Sequence, residues 1–241
     1  GSAFGRVPTT PEYLHTLREE TAKHGVLLIF DEVVTGFRVA PGGVQAHYGI
    51  TPDLTTLAKI LAGGLPGGAV VGRQDILDRI DFQASSTQGF EKIGHPGTFN
   101  ANPVSAAAGI AALEIIAAGE ACEKANQFAS NLHSGLNDVL QTLQVPWAAY
   151  GTFSGFHIFT NPKNRTIDPL NFDPLAHSYE ELKSNKPSLS HKLQLGMLLH
   201  GVHINGWPGG VVSAAHNDED ITRTVDAFRQ TLMMLKEEGE V

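Results

Sequence analysis

Apolar and polar positions near the start of the chain follow two different periods. Residues 10–24 carry apolar side chains at helical spacing after a Thr-Pro start, and Gly25 follows, which predicts a capped helix ended by a glycine. Residues 26–30 are then apolar without interruption, as in a strand that is covered on both faces in a parallel sheet. The acids Asp31 and Glu32 come next. A helix that leads into a buried strand and then into acids indicates an α/β fold, in which ligands bind at the carboxyl ends of strands.

The chain keeps this character up to about residue 118. Its pattern predicts a strand over 52–58 that ends at Lys59, a tight glycine-rich loop over 63–68, a strand over 69–72, a short helix over 74–80, a loop over 85–102 and a helix over 103–118. We therefore expect part of a larger, mostly parallel sheet in this region.

A change of pattern near residue 119 predicts a domain boundary, with one domain over 1–118 and a smaller α+β domain over 119–241. The second region is expected to contain a helix over 121–143, a β-like stretch over 147–160, a loop over 161–174, a helix over 190–200, short strands over 202–205 and 211–214, and a charged helix over 218–238.

Composition narrows the functional classes. The net charge is −8 and no run of five basic residues occurs, which argues against nucleic-acid binding. The single cysteine, Cys122, excludes an internal disulfide framework, and no apolar stretch reaches 18 residues. We expect a cytoplasmic protein that does not enter a membrane. Charged residues make up only 17% of the chain, against about a quarter in average domains, so we also expect a subunit interface.

Asp31 and Lys59 are the informative pair, because each stands at the end of a predicted strand. Lys59 has no acid within five positions, so it either extends to solvent or is functional, since desolvation lowers the pKa of a lysine toward the nucleophilic range. Asp31 could be a helix N-cap. A lysine that forms a Schiff base and a carboxylate that keeps a pyridine nitrogen protonated are the two groups that pyridoxal phosphate requires. The two residues alone leave these alternatives open.

Other candidate chemistry is weak. The chain has 11 histidines, but none shows the HExxH spacing of a zinc site, and we expect no metal. Arg38 and Arg73 could bind a carboxylate, although a structural ion pair is the commoner role of such residues. The serines at 85 and 86 lack the Gly-x-Ser-x-Gly turn of a hydrolase.

Three segments carry a specific resemblance to a known family. They read FDEVVTGFR over 30–38, PDLTTLAK over 52–59 followed by GGLPGG over 63–68, and GTFNANP over 97–103. In this order and spacing they resemble the class III pyridoxal-phosphate aminotransferases, and especially the branch of glutamate-1-semialdehyde 2,1-aminomutase. The likeness extends over nearly the whole chain, because SAAH over 213–216 is similar to the last strand region of the family. It implies a fold-type-I transferase, with part of the large domain followed by the small C-terminal domain.

The resemblance also implies residue roles. Lys59 would form the Schiff base with pyridoxal 5'-phosphate and move a proton between the substrate carbon and C4' of the cofactor. Asp31 would pair with the pyridinium nitrogen, and Val33 would press against one face of the ring. Thr98 would bind the cofactor phosphate of the neighbouring subunit across a homodimer interface, which suits backbone donors near a helix start.

Two departures from the family pattern qualify this interpretation. The chain begins about where the second half of such enzymes begins, so a complementary N-terminal segment is expected to supply the rest of the cofactor site. Pro208 stands where the aminomutase branch has a glutamate, counted back from His216, and Trp207 beside it could form an apolar wall at the substrate. This loss of a carboxylate favours an aminotransferase.

We therefore expect a class III aminotransferase that moves an amino group from an amino acid or amine to a carbonyl acceptor. The aminomutase reaction, in which the amino group moves between adjacent carbons, is the alternative within the family. A non-catalytic fragment that needs a complementary N-terminal half is the alternative outside it. The sequence leaves open the donor, the acceptor, the choice between α- and β-amino acids, and the enantiomer.

Overall fold

The structure is a computed structural model that describes residues 5–241 and divides into two compact units. The first unit is Thr10–Glu120, and the second unit consists of residues 5–9 together with Ala121–Val241. Each contains a three-stranded sheet with helices against it, so the fold class is α/β, as expected.

The first unit alternates helices and strands. Its elements are α1 (Pro11–Lys23), β1 (Ile29–Asp31), α2 (Gly43–Tyr48), β2 (Leu54–Ala58), β3 (Gly68–Gly72), α3 (Gln74–Leu77), α4 (Phe82–Gln88) and α5 (Pro103–Ala117). Short 3-10 helices follow β2 at Lys59–Ala62 and α3 at Asp78–Ile80. The strand order is β1-β2-β3, with β1 parallel to β2 and β2 antiparallel to β3. Every element expected before α4 is present.

Strand β1 corrects one prediction. The uninterrupted apolar run over 26–30 was expected to be covered on both faces, but only Ile29–Asp31 forms a strand and its burial alternates. Phe30 is buried among residues of α1 and α2, whereas Ile29 is 53% exposed on the opposite face. The run of apolar residues cannot distinguish one covered face from two, because it places an apolar side chain on both.

The turn into β2 contains a buried ionic centre at Asp53. Its Oδ2 accepts from the backbone N–H of Leu28 at 2.8 Å and from Arg18 at 2.9 Å, and its Oδ1 accepts from Arg73 at 2.9 Å. These contacts join α1, the start of β1 and the end of β3 to one carboxylate. The pKa of Asp53 lies well below its ordinary value, first because the Leu28 N–H donates to it and then because of the two guanidinium groups.

Helix α5 begins as predicted and packs closely on the segment after Lys59. Asn102 caps it by accepting from the backbone N–H groups of residues 104 and 105. A Cβ at Gly109 would lie 2.7 Å from the carbonyl oxygen of Leu61, so glycine lets the helix approach the 3-10 turn. Helix α4 was not expected, because its composition is polar, but Asp81 caps it with a hydrogen bond from Ala84.

The second unit is a helical layer on an antiparallel sheet. It contains α6 (Glu120–Thr142), β4 (Ala148–Tyr150), β5 (Gly155–Phe159), α7 (Tyr179–Lys183), α8 (Pro187–Leu199), β6 (Gly209–Val211) and α9 (Asp218–Glu237), with 3-10 turns at Pro169–Asn171 and Pro174–Ala176. The sheet order is β4-β5-β6. Leu136 of α6, Leu193 of α8 and Phe228 of α9 meet in its main core.

The strand predicted over 202–205 is not formed, and the one predicted over 211–214 lies at Gly209–Val211 instead. The backbone of residues 202–205 forms hydrogen bonds outside any sheet. Val202 N–H donates to the carbonyl of Met197 and closes the end of α8, and Asn205 N–H donates to the carbonyl of Gly209 in a tight turn. Ile204 is nevertheless buried in the core, which explains the apolar pattern.

Residues 5–9 group with the second unit. The side chain of Arg6 donates to the carbonyl of Leu182 at 2.9 Å, and the Tyr150 hydroxyl donates to the carbonyl of Arg6 at 2.8 Å. The first unit otherwise ends at Glu120. Such contacts over a long sequence separation leave no local pattern in the sequence.

A buried carboxylate also organises the second unit. Glu181 is 1% exposed and contacts Arg165 at 2.9 Å, Lys163 at 3.1 Å and His177 at 3.3 Å. Burial by itself raises the pKa of Glu181, but the hydrogen bonds with Lys163 and His177 and the charge of Arg165 outweigh it, and the pKa lies below its ordinary value. This cluster holds α7 to the loop that precedes it.

Among residues 5–241, no single helix is long and apolar enough to cross a membrane. Helices α5 and α6 reach the required length and composition only as a pair with a break between them.

The Asp53 centre predicts a specific dependence of stability on pH. Asp53→Asn should lower the free energy of unfolding by about 1–3 kcal/mol at pH 7, because a charged acceptor with three donors is lost. A carboxyl whose folded pKa is depressed stabilises the fold above its unfolded pKa of about 3.9, and that contribution disappears as the pH falls below this value. Urea unfolding from pH 7 to pH 2.5 measures the difference between parent and variant.

The matched control is Asp75→Asn, which removes the exposed partner of Arg73. Its effect should stay within about 0.5 kcal/mol, as for other surface ion pairs. A difference between Asp53→Asn and the parent that is equally large at pH 2.5 and pH 7 would contradict this account.

Candidate active site

The candidate site lies at the carboxyl ends of two neighbouring parallel strands. Strand β1 ends at Asp31, and β2 leads directly into Lys59. The register pairs Asp31 with Thr56, three residues before Lys59. The parallel pairing therefore brings the two residues singled out in the sequence to one edge of one sheet, where α/β folds bind ligands.

Asp31 lies on the exposed face of the sheet. Its Oδ1 accepts from the backbone N–H of Val33 at 3.1 Å and from the hydroxyl of Thr56 at 3.3 Å. No donor within residues 5–241 contacts Oδ2, and no ion pair there involves Asp31. One carboxylate oxygen is thus held in place and the other can accept a further hydrogen bond. The contact between Oδ1 and the N–H of Val33 resembles that of an N-cap, and it involves only this one oxygen of Asp31.

Glu32 is turned to the opposite face and buried, with 2% of its surface exposed. Its carboxylate accepts from the backbone N–H groups of Val44 at 2.8 Å and Gln45 at 3.1 Å, and from the hydroxyl of Thr35 at 3.0 Å. The side-chain amide of Gln45 reaches Glu32 at 3.5 Å and Thr55 at 3.2 Å. Glu32 therefore fixes the loop that follows β1.

Sequence reasoning gave Glu32 no role of its own. The signal was present, because two successive acids at the end of a strand point to opposite faces, and both faces of this strand were expected to be covered. A buried carboxylate needs several donors, and the residues around Gly43 supply them. A Cβ at Gly43 would lie 2.4 Å from the Glu32 carboxylate, and its φ of 70° is also one that favours glycine.

Lys59 is exposed and has a left-handed backbone conformation, with φ of 52°. It is the first residue of the 3-10 turn that ends β2, and Gly63 ends that turn with φ of 59°. A side chain other than glycine in this conformation costs on the order of 1 kcal/mol, and such strained positions concentrate at functional sites. The side chain of Lys59 is exposed in the part of the chain that the structure describes.

Val33 and Thr98 occupy turns. Val33 is half-buried in the turn after β1, where its N–H contacts Asp31. Thr98 is exposed in the turn over 97–100, which is closed by a 3.0 Å bond from Asn100 N–H to the carbonyl of Gly97. No hydrogen bond within the described residues joins Thr98 to Asp31 or Lys59. The roles of Val33 against a ring and of Thr98 at a phosphate stay predictions.

The remaining candidates have structural contacts. Arg73 pairs with Asp53 and with Asp75, which raises its pKa, so the structural role is confirmed. Arg38 donates to the carbonyl of Val34 at 3.1 Å. Trp207 belongs to the second unit, and its ring lies 5.2 Å from the ring of His157. Residues 5–241 contain no group of three or more side chains that could hold a metal ion.

These residues suit one kind of ligand. A carboxylate with an available oxygen accepts a hydrogen bond from a protonated ring nitrogen, and a lysine at the adjacent strand end condenses with an aldehyde. Asp31 and Lys59 provide these groups at one sheet edge, while Glu32 and Asp53 are both occupied by the fold itself.

Known proteins are similar to this chain in sequence and in fold. The chain is 38% identical over 226 residues to a glutamate-1-semialdehyde 2,1-aminomutase of Akkermansia muciniphila, a match that covers 93% of this chain and 49% of that protein. An ω-transaminase of Sphaerobacter thermophilus superimposes with a TM-score of 0.77 at 32% identity, covering 96% of this chain and 49% of that one. The chain spans about half the length of the curated relatives it matches.

A second solved structure, a transaminase with pyridoxal phosphate bound, superimposes with a TM-score of 0.79 at 28% identity. The match covers 97% of this chain and 50% of that transaminase. The sequence profile of the family described as Aminotransferase class-III matches residues 1–228. With nearly the whole chain matched, and with a lysine and an aspartate at neighbouring strand ends, this chain belongs to the class III aminotransferase family.

Proposed function

We propose that the protein carrying this chain is an aminotransferase that uses pyridoxal 5'-phosphate to move an amino group from an amino acid or amine to a carbonyl acceptor. One observation carries the proposal: parallel strands β1 and β2 bring Asp31 and Lys59 to the same sheet edge, and Oδ2 of Asp31 can still accept a hydrogen bond. The family and a neighbouring structure that holds pyridoxal phosphate support the cofactor assignment.

The cofactor supplies an aldehyde that captures amines and a pyridinium ring that withdraws electrons from the carbon next to the amine. Asp31 holds a proton at the ring nitrogen through Oδ2, because a carboxylate stabilises the cationic form of the ring. Val33 follows Asp31 in the same turn and limits one face of the ring. Thr98 binds phosphate in the site of a second subunit of a homodimer.

Lys59 has two tasks in this proposal. Its Nζ would bind the cofactor aldehyde, and its amine would move a proton between the substrate carbon and C4' of the cofactor. Lys59 directly follows β2, so it lies at the sheet edge that also carries Asp31.

The aminomutase reaction is the second candidate, since curated relatives with that name are 36–38% identical to this chain. Pro208 favours the aminotransferase. It is buried in the second unit, where its carbonyl accepts from Ile158 N–H at 2.9 Å, and it supplies no carboxylate at the position where the aminomutase branch has one.

The rest of the assembly is part of the same proposal. We propose that the protein is a homodimer and that a complementary N-terminal segment completes the cofactor site. We also propose two domains divided near residue 118 and a cytoplasmic location.

Lys59 provides the direct test of the cofactor site. Borohydride reduction of the protein loaded with pyridoxal phosphate should leave a phosphopyridoxyl label on the peptide that contains Lys59, as measured by mass spectrometry. Lys59→Ala should remove the label and lower the transamination rate at least about a hundredfold, because the proton-transferring amine is lost. Lys23→Ala, on the exposed end of α1, is the control and should keep both. A label on another lysine would refute the assignment.

The two reactions differ in their need for a second substrate. Given glutamate 1-semialdehyde alone, an aminomutase should form the isomer in which the amino group lies on the adjacent carbon. The proposed aminotransferase should form no such isomer, and it should pass the amino group of a donor to an added keto acid. Rapid quenching and chromatography identify the products. Formation of the isomer without a donor would replace the aminotransferase by the aminomutase.

A further inference from the structure

Thr56 faces Asp31 directly across strands β1 and β2. The two residues are register partners, and the Thr56 hydroxyl lies 3.3 Å from Oδ1 of Asp31. We infer that Thr56 is a positioning residue that holds the Asp31 carboxylate so that Oδ2 meets the ring nitrogen of the cofactor. The inference rests on the proposed function, because it concerns how Asp31 receives that ring.

The hydrogen bonds at Asp31 are unequally divided between its two oxygens. Oδ1 accepts from both Val33 N–H and Thr56, which uses both lone pairs of that oxygen. A carboxylate rotates readily about its last bond, and two donors on one oxygen resist that rotation. The other oxygen, Oδ2, remains able to accept a hydrogen bond.

Few other groups restrain this carboxylate. Asp31 is exposed on the open face of the sheet, and no cation within the described residues forms an ion pair with it. Val33 contributes through its backbone, so its donor does not depend on the side chain. Thr56 is therefore the one side chain within residues 5–241 whose replacement changes the hydrogen bonding of Asp31.

Thr55, the preceding residue, offers a matched comparison. Its hydroxyl points to the buried face, where it accepts from the side-chain amide of Gln45, which also reaches Glu32. Two successive threonines of one strand thus serve two different carboxylates. A valine at either position keeps a β-branched shape suited to a strand and removes only the hydroxyl.

The experiment is a thermodynamic cycle on cofactor binding in the protein that carries this chain. The dissociation constant for pyridoxal 5'-phosphate is measured by absorbance and fluorescence titration in the parent, Thr56→Val, Thr56→Ser and Thr55→Val. The cycle is completed with Asp31→Ala and with Asp31→Ala combined with Thr56→Val. Circular dichroism establishes that each variant is folded.

Thr56→Val should weaken binding about fivefold to tenfold, because a donor to a charged acceptor is lost. Thr56→Ser keeps the hydroxyl and should bind within twofold of the parent, and Thr55→Val should do the same despite any loss of stability. In the Asp31→Ala background, Thr56→Val should have no further effect, because a residue that acts through Asp31 has nothing left to position.

Three results would overturn the inference. Thr56→Val could bind the cofactor as the parent does, Thr56→Ser could bind as weakly as Thr56→Val, or the effect of Thr56→Val could persist without the Asp31 carboxylate. Failure of the proposed function is distinguishable from these, because then Asp31→Ala itself would leave cofactor binding unchanged, or the parent would bind no cofactor.

Discussion

The buried carboxylate of Glu32 is the contact on which the site depends. It accepts four hydrogen bonds, from the backbone of Val44 and Gln45 and from the side chains of Thr35 and Gln45. A carboxylate that is 2% exposed requires such a set of donors, and meeting this requirement fixes the loop after β1. Because successive residues of a strand face opposite ways, anchoring Glu32 on one face commits Asp31 to the other. Structural and chemical roles are thus divided between adjacent acids.

Strand β2 likewise has a structural carboxylate at one end and a candidate catalytic residue at the other. Asp53, before β2, is saturated by Leu28, Arg18 and Arg73, while Lys59, after it, is exposed in a left-handed conformation. The ionic centre at the start of β2 joins α1, β1 and β3, so the register of the sheet is set by groups that do no chemistry. Asp31 and Lys59 then lie at neighbouring carboxyl ends because β1 and β2 are parallel. In this chain, which spans about half the length of its curated relatives, the lysine and the aspartate therefore lie at neighbouring strand ends.

Sequence reasoning succeeded where a pattern is local. The cap of α1 at Thr10, which accepts from the N–H of Tyr13 in the first turn of the helix, was recognisable because capping involves residues only two or three positions apart. It failed where the partner is distant. The strand predicted over 202–205 is absent because the backbone of this segment closes the end of α8 and a tight turn with Gly209.

The sequence by itself determined the α/β alternation, the family, and the two strand ends that carry Asp31 and Lys59, because these are encoded in periodicity and in contiguous motifs. Only the tertiary structure decided which face of β1 is covered, which of two adjacent acids is buried, and that Thr56 reaches Asp31. The physical reason is that the burial and hydrogen bonding of a side chain depend on residues brought near it by the pairing of strands, and one strand's sequence does not specify its neighbour.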